Sequence, residues 1–492
     1  MKQLLILLLI ASISSGTYGQ KHDNIWPMGY AYDSIINPCN YYIDFTDSFQ
    51  IINRCLGIKL IQLGNSAISD STGNLLFYTN GCLIADSSHQ VMLNGTGLNN
   101  MIDPLYIEDG YPAKTLILPN PNSSNLYYIF HLEFPTNSNG QISYGLPLWL
   151  NYSLVDMNGN GGLGEVVLKN IPLINDTIEG NTSLSATKHA NGIDWWILVP
   201  GCCSSNIYYR FLLTQDSIYG PFFQEVSIPT IVGAGGQSVF SPDGSLYVRY
   251  LSFGKAYIHD FNRCTGELSF KQEINPPVRI NVPGLAISPN SRFLYLCNDT
   301  IVFQYDLQAA DINASRVIVC VFDWFMSPFY TNFWQLQLAS NGKIYGVSSG
   351  GTDRLHVIEN PDSAGLACNF RQHAIITPRY NGISLPNLPH FRTPALPPGA
   401  CDTTGVVQLA GIKEEIKIYP NPSHNGSFNI AWQGAADRVQ LYDMLGRLCY
   451  ETVLPEYAQE SELDTALGKG IYLIVLKNNG NLVGREKIVI LD

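Results

Sequence analysis

The chain has 492 residues, with 28 Lys and Arg against 40 Asp and Glu, so its formal net charge is −12. That balance excludes a nucleic-acid binder, whose surface would be basic. Hydrophobic residues make up 46% and charged residues only 14%, which excludes a disordered chain and leaves enough apolar surface for a core of ordinary size. The 43 Gly, 28 Pro and 28 Tyr favour turns and strands over long helices, so the expected class is all-β.

At the start of the chain, Lys2 supplies a positive charge and Leu4 to Ile10 form an unbroken apolar run. Small residues follow, and Thr17 and Gly19 occupy the −3 and −1 positions of a cleavage site. The pattern predicts a secretory signal peptide over 1–19, cut between Gly19 and Gln20. The run is too short to span a bilayer and no other is longer, so no transmembrane segment is expected. Export places the eleven cysteines in an oxidising compartment, and their odd number leaves at least one thiol unpaired. Cys39 and Cys55 are close enough in sequence to clip the first hairpin, whereas the adjacent Cys202 and Cys203 would each bridge elsewhere. No C-x-x-C occurs and the His residues do not cluster near Cys, so no structural zinc is expected.

A turn followed by a strand recurs along residues 20–390. It appears as Asp70-Ser71-Thr72-Gly73-Asn74-Leu75, Ser241-Pro242-Asp243-Gly244-Ser245-Leu246, Ser288-Pro289-Asn290-Ser291-Arg292-Phe293 and Ala339-Ser340-Asn341-Gly342-Lys343-Ile344. Weaker copies are centred at Ser124 and Gly192. Turn centres at 73, 124, 192, 244, 291 and 342 are separated by 51, 68, 52, 47 and 51 residues. A period near fifty with Asn/Asp-Gly turns predicts the four-stranded blades of a β-propeller. Six turns are visible. A seventh blade is expected to combine strands from 25–47 with the segment before the linker, which would close the ring and remove exposed sheet edges.

Charge density changes near residue 413. Beyond it 19 of 80 residues are charged, about twice the density of the preceding chain. The stretch Pro394-Ala395-Leu396-Pro397-Pro398-Gly399 lies just before this change. Together these features place a linker at 391–412 and a separate domain at 413–492. In that domain Val439 and Leu441, and then Ile471, Leu473 and Val475, recur with the period of half-buried strands, as in a small Ig-like β-sandwich. A turn over 443–447 separates strands at 438–442 and 448–452, and Pro420 and Pro422 keep the leading segment out of a central strand.

Five pieces of this domain carry a resemblance. They are Tyr419-Pro420-Asn421-Pro422, then Gly426-Ser427-Phe428, then Asp443-Met444-Leu445-Gly446-Arg447, then Gly470-Ile471-Tyr472, then Lys487-Ile488-Val489-Ile490. In this order at the chain end they resemble the type A C-terminal sorting domain of the type IX secretion system. The resemblance implies export to the outer cell surface or beyond. It also implies partnership with the secretion machinery and with a surface sortase that removes the domain. The turns would then be recognition features. Lys188 to Trp196 and Arg263 to Leu268 are also similar to propellers carried by such cargo, a resemblance that brings no activity with it.

No catalytic or cofactor-binding motif is expected to operate. Gly346-Val347-Ser348-Ser349-Gly350 matches G-x-S-x-G, but a turn and strand follow it where the nucleophile motif needs a helix. Asp156, Asn158 and Asn160 place three oxygen side chains at alternate positions before a glycine, as in a calcium loop. However, the twelfth position is Val167, so a Gly-rich turn is the better reading. Trp195 and Trp196 are neighbours in a strand and must face opposite ways, one between blades and the other open to packing or sugar stacking. His189 and Asp194 are expected to tie their hairpin together. The longest interval between turns points to Trp149 and Tyr152 as ligand contacts, for a glycan or surface polymer. The sequence thus describes a secreted or cell-surface binding or scaffold propeller. The alternative is a secreted polysaccharide-active enzyme with its site on the propeller face.

Overall fold

The computed structural model of the chain describes residues 20–29, 40–54, 56–60, 63–100, 110–111, 113–135, 149–178, 183–201, 205–227, 236–252, 255–277, 284–401, 416–433, 435–443, 448–455, 458–478 and 481–491. The expected signal peptide, Cys39, Cys55, Cys202, Cys203, Gly446 and Arg447 lie outside them. The chain divides into two compact units, 1–397 and 398–492.

In the first unit the described strands form seven antiparallel sheets, each pairing in chain order. The first comprises β1 (Ile25–Met28), β2 (Asn40–Asp44) and β3 (Gln50–Arg54). The second comprises β4 (Ser66–Ser69), β5 (Leu75–Thr79) and β6 (Ile84–Asp86). The third holds β7 (Thr115–Pro119), β8 (Leu126–Glu133), β9 (Trp149–Asp156) and β10 (Glu165–Asn175). The fourth holds β11 (Ser185–Lys188), β12 (Trp195–Pro200), β13 (Ile207–Leu213) and β14 (Ile218–Glu225). The fifth holds β15 (Gln237–Phe240), β16 (Leu246–Tyr250), β17 (Ala256–Phe261) and β18 (Leu268–Ile274). The sixth holds β19 (Gly284–Ile287), β20 (Phe293–Cys297), β21 (Ile301–Asp306) and β22 (Val317–Val321). The seventh holds β23 (Leu336–Leu338), β24 (Ile344–Gly346), β25 (Thr352–Ile358) and β26 (Phe370–Asn381). The leading strands β4, β7, β11, β15, β19 and β23 lie around a common axis. The ring closes where Trp26 and Phe45 pack on Tyr345, with ring centroids 5.9 and 5.5 Å apart, and where the Tyr41 hydroxyl donates to Asn381. This is a seven-bladed β-propeller.

The repeat seen in the sequence is the turn between the first and second strands of a blade. Asp70, Asp243, Asn290 and Asn341 each turn an Oδ1 back onto the backbone N–H two residues ahead, at 2.8, 3.0, 3.0 and 3.1 Å. Gly73, Gly244 and Gly342 supply the positive φ that closes the hairpin, at 104°, 73° and 79°. The turns feed second strands, of which β12, β16 and β20 are buried along their whole length between neighbouring blades.

The segment expected to complete the seventh blade behaves differently. Gly382 donates to the Gly29 carbonyl, but from there the chain enters the axis in place of pairing along β1. Asn387 is its anchor. The Asn387 amide donates to the carbonyls of Thr115 and Leu184 at 2.8 and 3.1 Å, and its backbone exchanges bonds with Asn65 and Ser66. The axis is narrow and rimmed by carbonyls, so one buried amide there satisfies two blades at once. Phe391, Arg392 and Thr393, the first residues of the expected linker, are held by the propeller. Phe391 packs on Trp195, Arg392 pairs with Asp23, and Thr393 donates to the Pro242 carbonyl at 2.8 Å. Cys82, Cys297, Cys320 and Cys368 carry free thiols, while Cys264 is disulfide-bonded.

The second unit has two sheets. One orders β27 (Lys417–Tyr419), β28 (Ser427–Ala431) and β31 (Glu460–Asp464). The other places β29 (Arg438–Asp443) between β30 (Leu448–Val453) and β32 (Gly470–Asn478), with β33 (Asn481–Ile490) at its edge. Phe428, Ile430, Val439, Leu441, Ile474 and Leu476 form the core of this small sandwich. The buried phase of β32 is the opposite of the one read from the sequence. Ile474 and Leu476 face the core, while Ile471 and Leu473 are exposed. Both faces of β32 are apolar, so alternation alone does not choose between them.

Candidate functional site

The residues singled out in the sequence fall in separate places. Asp156, Asn158 and Asn160 form the hairpin between β9 and β10. Asp156 Oδ1 accepts from the Asn158 backbone and side-chain amides at 2.9 and 3.0 Å, and Asn158 Oδ1 accepts from Asn125 at 3.0 Å. These oxygens are turned onto N–H donors and bind the turn together. Among the described residues no group of three or more His, Cys, Asp or Glu converges as a metal site. Trp195 and Trp196 are both buried, the first under Lys188 and Phe391, the second against Phe222 with its N–H on the Arg263 carbonyl. Neither offers a sugar platform. His189 and Asp194 lie in a hydrogen-bonded hairpin, with the His189 N–H on the Asp194 carbonyl at 2.8 Å. Trp149 and Tyr152 are both on β9, three residues apart and so on opposite faces, each half-buried, with Tyr152 packed on Tyr128 at 5.8 Å.

Ser348 is buried, and its Oγ lies 3.5 Å from His356 Nε2. The arrangement superficially suits a nucleophile and its base. However, His356 Nδ1 accepts the His373 backbone N–H at 3.0 Å, which leaves the proton on Nε2, where it faces the Asn332 carbonyl at 3.3 Å. A protonated Nε2 cannot take the serine proton. Burial also lowers the His356 pKa to about 4, so the ring is neutral and fixed in this tautomer. Ser348 is therefore part of the packing between strands.

The sequence reading missed the most distinctive surface. The segment between β22 and β23 runs Phe322-Asp323-Trp324-Phe325-Met326-Ser327-Pro328-Phe329-Tyr330-Thr331-Asn332-Phe333. Phe322 and Phe333 are buried and pack edge-on at 6.0 Å, clamping the base of a small hairpin whose Met326 and Tyr330 pair. Beyond the clamp, Trp324 is 66% exposed, Phe329 60%, Met326 52% and Tyr330 50%. Thr331 donates twice to the Phe325 carbonyl, at 3.0 and 3.1 Å, and Asp353 N–H donates to the Ser327 carbonyl at 3.2 Å. His373 stacks on Phe325 at 4.2 Å while its Nε2 meets Asp323 at 2.8 Å, and the Arg354 guanidinium lies 5.8 Å from the same ring. Apolar rings exposed on a rigid frame and rimmed by polar groups mark a binding surface. The available signal was density, since seven aromatic residues occur between 322 and 334.

The expected sorting residues gather around the start of the second unit. Tyr419 ends the edge strand β27 and its hydroxyl donates to Glu460. Pro420 and Pro422 stop that strand, as residues without an N–H must. Between them the Asn421 side chain continues the ladder, donating to the Lys487 carbonyl at 2.7 Å and accepting from Val489 N–H at 3.0 Å. Gly426 has φ 71°, and a Cβ there would meet Thr465 Oγ1 at 2.9 Å. Phe428 is buried in the core, while Asp443 and Gly470 lie in the β29–β32–β33 register, opposite Tyr472 and Ile490 respectively. The Tyr472 hydroxyl closes onto the Gly468 carbonyl at 2.9 Å.

Residues 417–491 match the family model of the secretion system C-terminal sorting domain. The chain therefore carries a type IX secretion sorting domain behind a β-propeller, and it is exported to the cell surface or released. The sorting domain is the part that meets the type IX machinery, and no described helix is long and apolar enough to cross a membrane. A search of curated proteins found no match. Among solved structures, a protein from Lactobacillus plantarum shares 12% identity over 74% of this chain and 99% of its own, at a TM-score of 0.45. The periplasmic gluconolactonase PpgL of Pseudomonas aeruginosa shares 13% identity over 73% and 100%, at 0.42. A Dos1 propeller shares 14% identity over 63% and 70%, at 0.35.

Proposed function

We propose that the propeller is an extracellular binding module whose ligand is a glycan or similar surface polymer, held on the hairpin between β22 and β23. The observation that carries this reading is the group of four half- to two-thirds-exposed side chains, Trp324, Met326, Phe329 and Tyr330, on a backbone fixed by its own hydrogen bonds. Ring faces stack on the C–H faces of sugars, and the nearby Asp323, His373 and Arg354 supply directional polar contacts. A rigid platform binds without first having to be ordered. The β9 pair, Trp149 and Tyr152, offers less open ring surface. The strap of residues 385–396 through the axis supports binding over catalysis, because Asn387 and its neighbours leave only a void too small for a sugar-sized substrate there.

The test is a panel of bacterial and host polysaccharides presented to the mature full-length protein, with retention and released sugars measured together. Retention with no released product supports the binding module. Turnover abolished by a single carboxylate substitution would support a polysaccharide-active enzyme instead. The same reading proposes cleavage between Gly19 and Gln20 and removal of the tail by a surface sortase. N-terminal sequencing of exported protein should then begin at Gln20, and an intact Met1 would contradict it.

A further inference from the structure

The axis of the propeller keeps a small cavity of about 50 Å³ beside the strap, walled by leading strands from five blades. Lys114, the residue before β7, lies on this wall and is only 3% exposed. No described residue forms a hydrogen bond or ion pair with its ammonium group. Burial lowers its pKa to about 8, so at neutral pH it remains mostly protonated. An uncompensated ammonium in such a place is costly, and structures retain one where something neutralises it.

The other groups on the wall leave that charge unanswered. Asp23 is the one carboxylate among the described lining residues, and Arg392 already holds both its oxygens at 2.7 and 2.6 Å. His390 is held neutral by burial, which lowers its pKa to about 4. Ser185 brings a hydroxyl to the same wall, 3.5 Å from the Ser238 hydroxyl, which itself donates to the Ser183 carbonyl at 3.2 Å. The Gln337 and Asn387 amides there are spent on backbone carbonyls. The local balance is thus positive, with the Ser185 hydroxyl beside it. The volume admits a few water-sized atoms and excludes a sugar ring.

We propose that Lys114, with Ser185, forms an axial site for a small monovalent anion, either a halide or a compact carboxylate such as formate. The site is separate from the aromatic hairpin and does not depend on it.

The test uses the mature full-length protein in sodium gluconate at constant ionic strength, gluconate being too large for the cavity. Gluconate is replaced stepwise by bromide or by formate while the melting temperature is followed. An anion that binds only the folded state raises the midpoint by mass action. Wild type should gain several degrees and saturate with at least one of the two, and Lys114→Met should give a flat titration. A rise with bromide identifies the halide, and one with formate alone identifies the carboxylate. If Lys114→Met does not fold, Ser185→Ala should shift the titration midpoint to at least tenfold higher anion. The proposal is overturned if the variants titrate like wild type, or if wild type responds to neither anion.

Discussion

Asp23 is almost wholly withdrawn from water, with a side chain only 4% exposed, and Arg392 meets both of its oxygens from 369 residues away. The pair joins the start of the ring to the end of the strap. Arg392→Ala should destabilise the propeller by about 3–5 kcal/mol, because it strands a buried carboxylate. Urea denaturation should show it, and Asp23→Asn/Arg392→Leu should recover part of the loss. A second residue-scale prediction concerns acid. Burial lowers the pKa of His131 and His259 to about 3, and of His356 and His390 to about 4. The unfolded chain takes up these protons near pH 6.5, before the folded one does. Stability should therefore be complete above pH 6.5 and fall as pH drops toward 4, by about 1.4 kcal/mol per pH unit for each ring. A melting temperature flat across that window would contradict this. These side chains were illegible in the sequence, since nothing local marks Asp23 and Arg392 as partners. The Asp and Asn of the repeat turns were legible because their bonds reach only two residues.

The strap and the aromatic hairpin are elements without regular repeats, and the sequence treated them accordingly. A Pro- and Gly-containing stretch reads as a linker, yet 385–396 is bound through side chains to distant blades. Limited proteolysis should therefore spare 385–396 and cut first beyond Pro397, where the two units divide. An initial cut inside the strap, mapped by mass spectrometry, would show that it is not seated in the axis. Asn387→Leu should cost about 1–3 kcal/mol for each carbonyl left unpaired at Thr115 and Leu184. The hairpin went unread because its aromatic residues have no strand period and could be taken for core. Only the fold shows that Phe322 and Phe333 turn inward while Trp324 and Phe329 face solvent. The β32 phase failed for a related reason, since both of its faces are apolar.

At the scale of the whole molecule, the separate C-terminal unit and the turn period were the legible features, because each recurs or clusters along the chain. Deleting 413–492 should leave a folded propeller in the periplasm, and surface display of the truncated chain in a strain with a working system would contradict the role of the sorting domain. What the propeller does once exported rests on the hairpin, and a single measurement tests it most directly. Wild type and Trp324→Ala/Phe329→Ala should be compared by affinity electrophoresis through the polysaccharide that retains the wild type best, with melting temperatures measured alongside. The account predicts that the variant keeps its melting temperature within a few degrees and loses retention at least tenfold. Unchanged retention by a folded variant would contradict it.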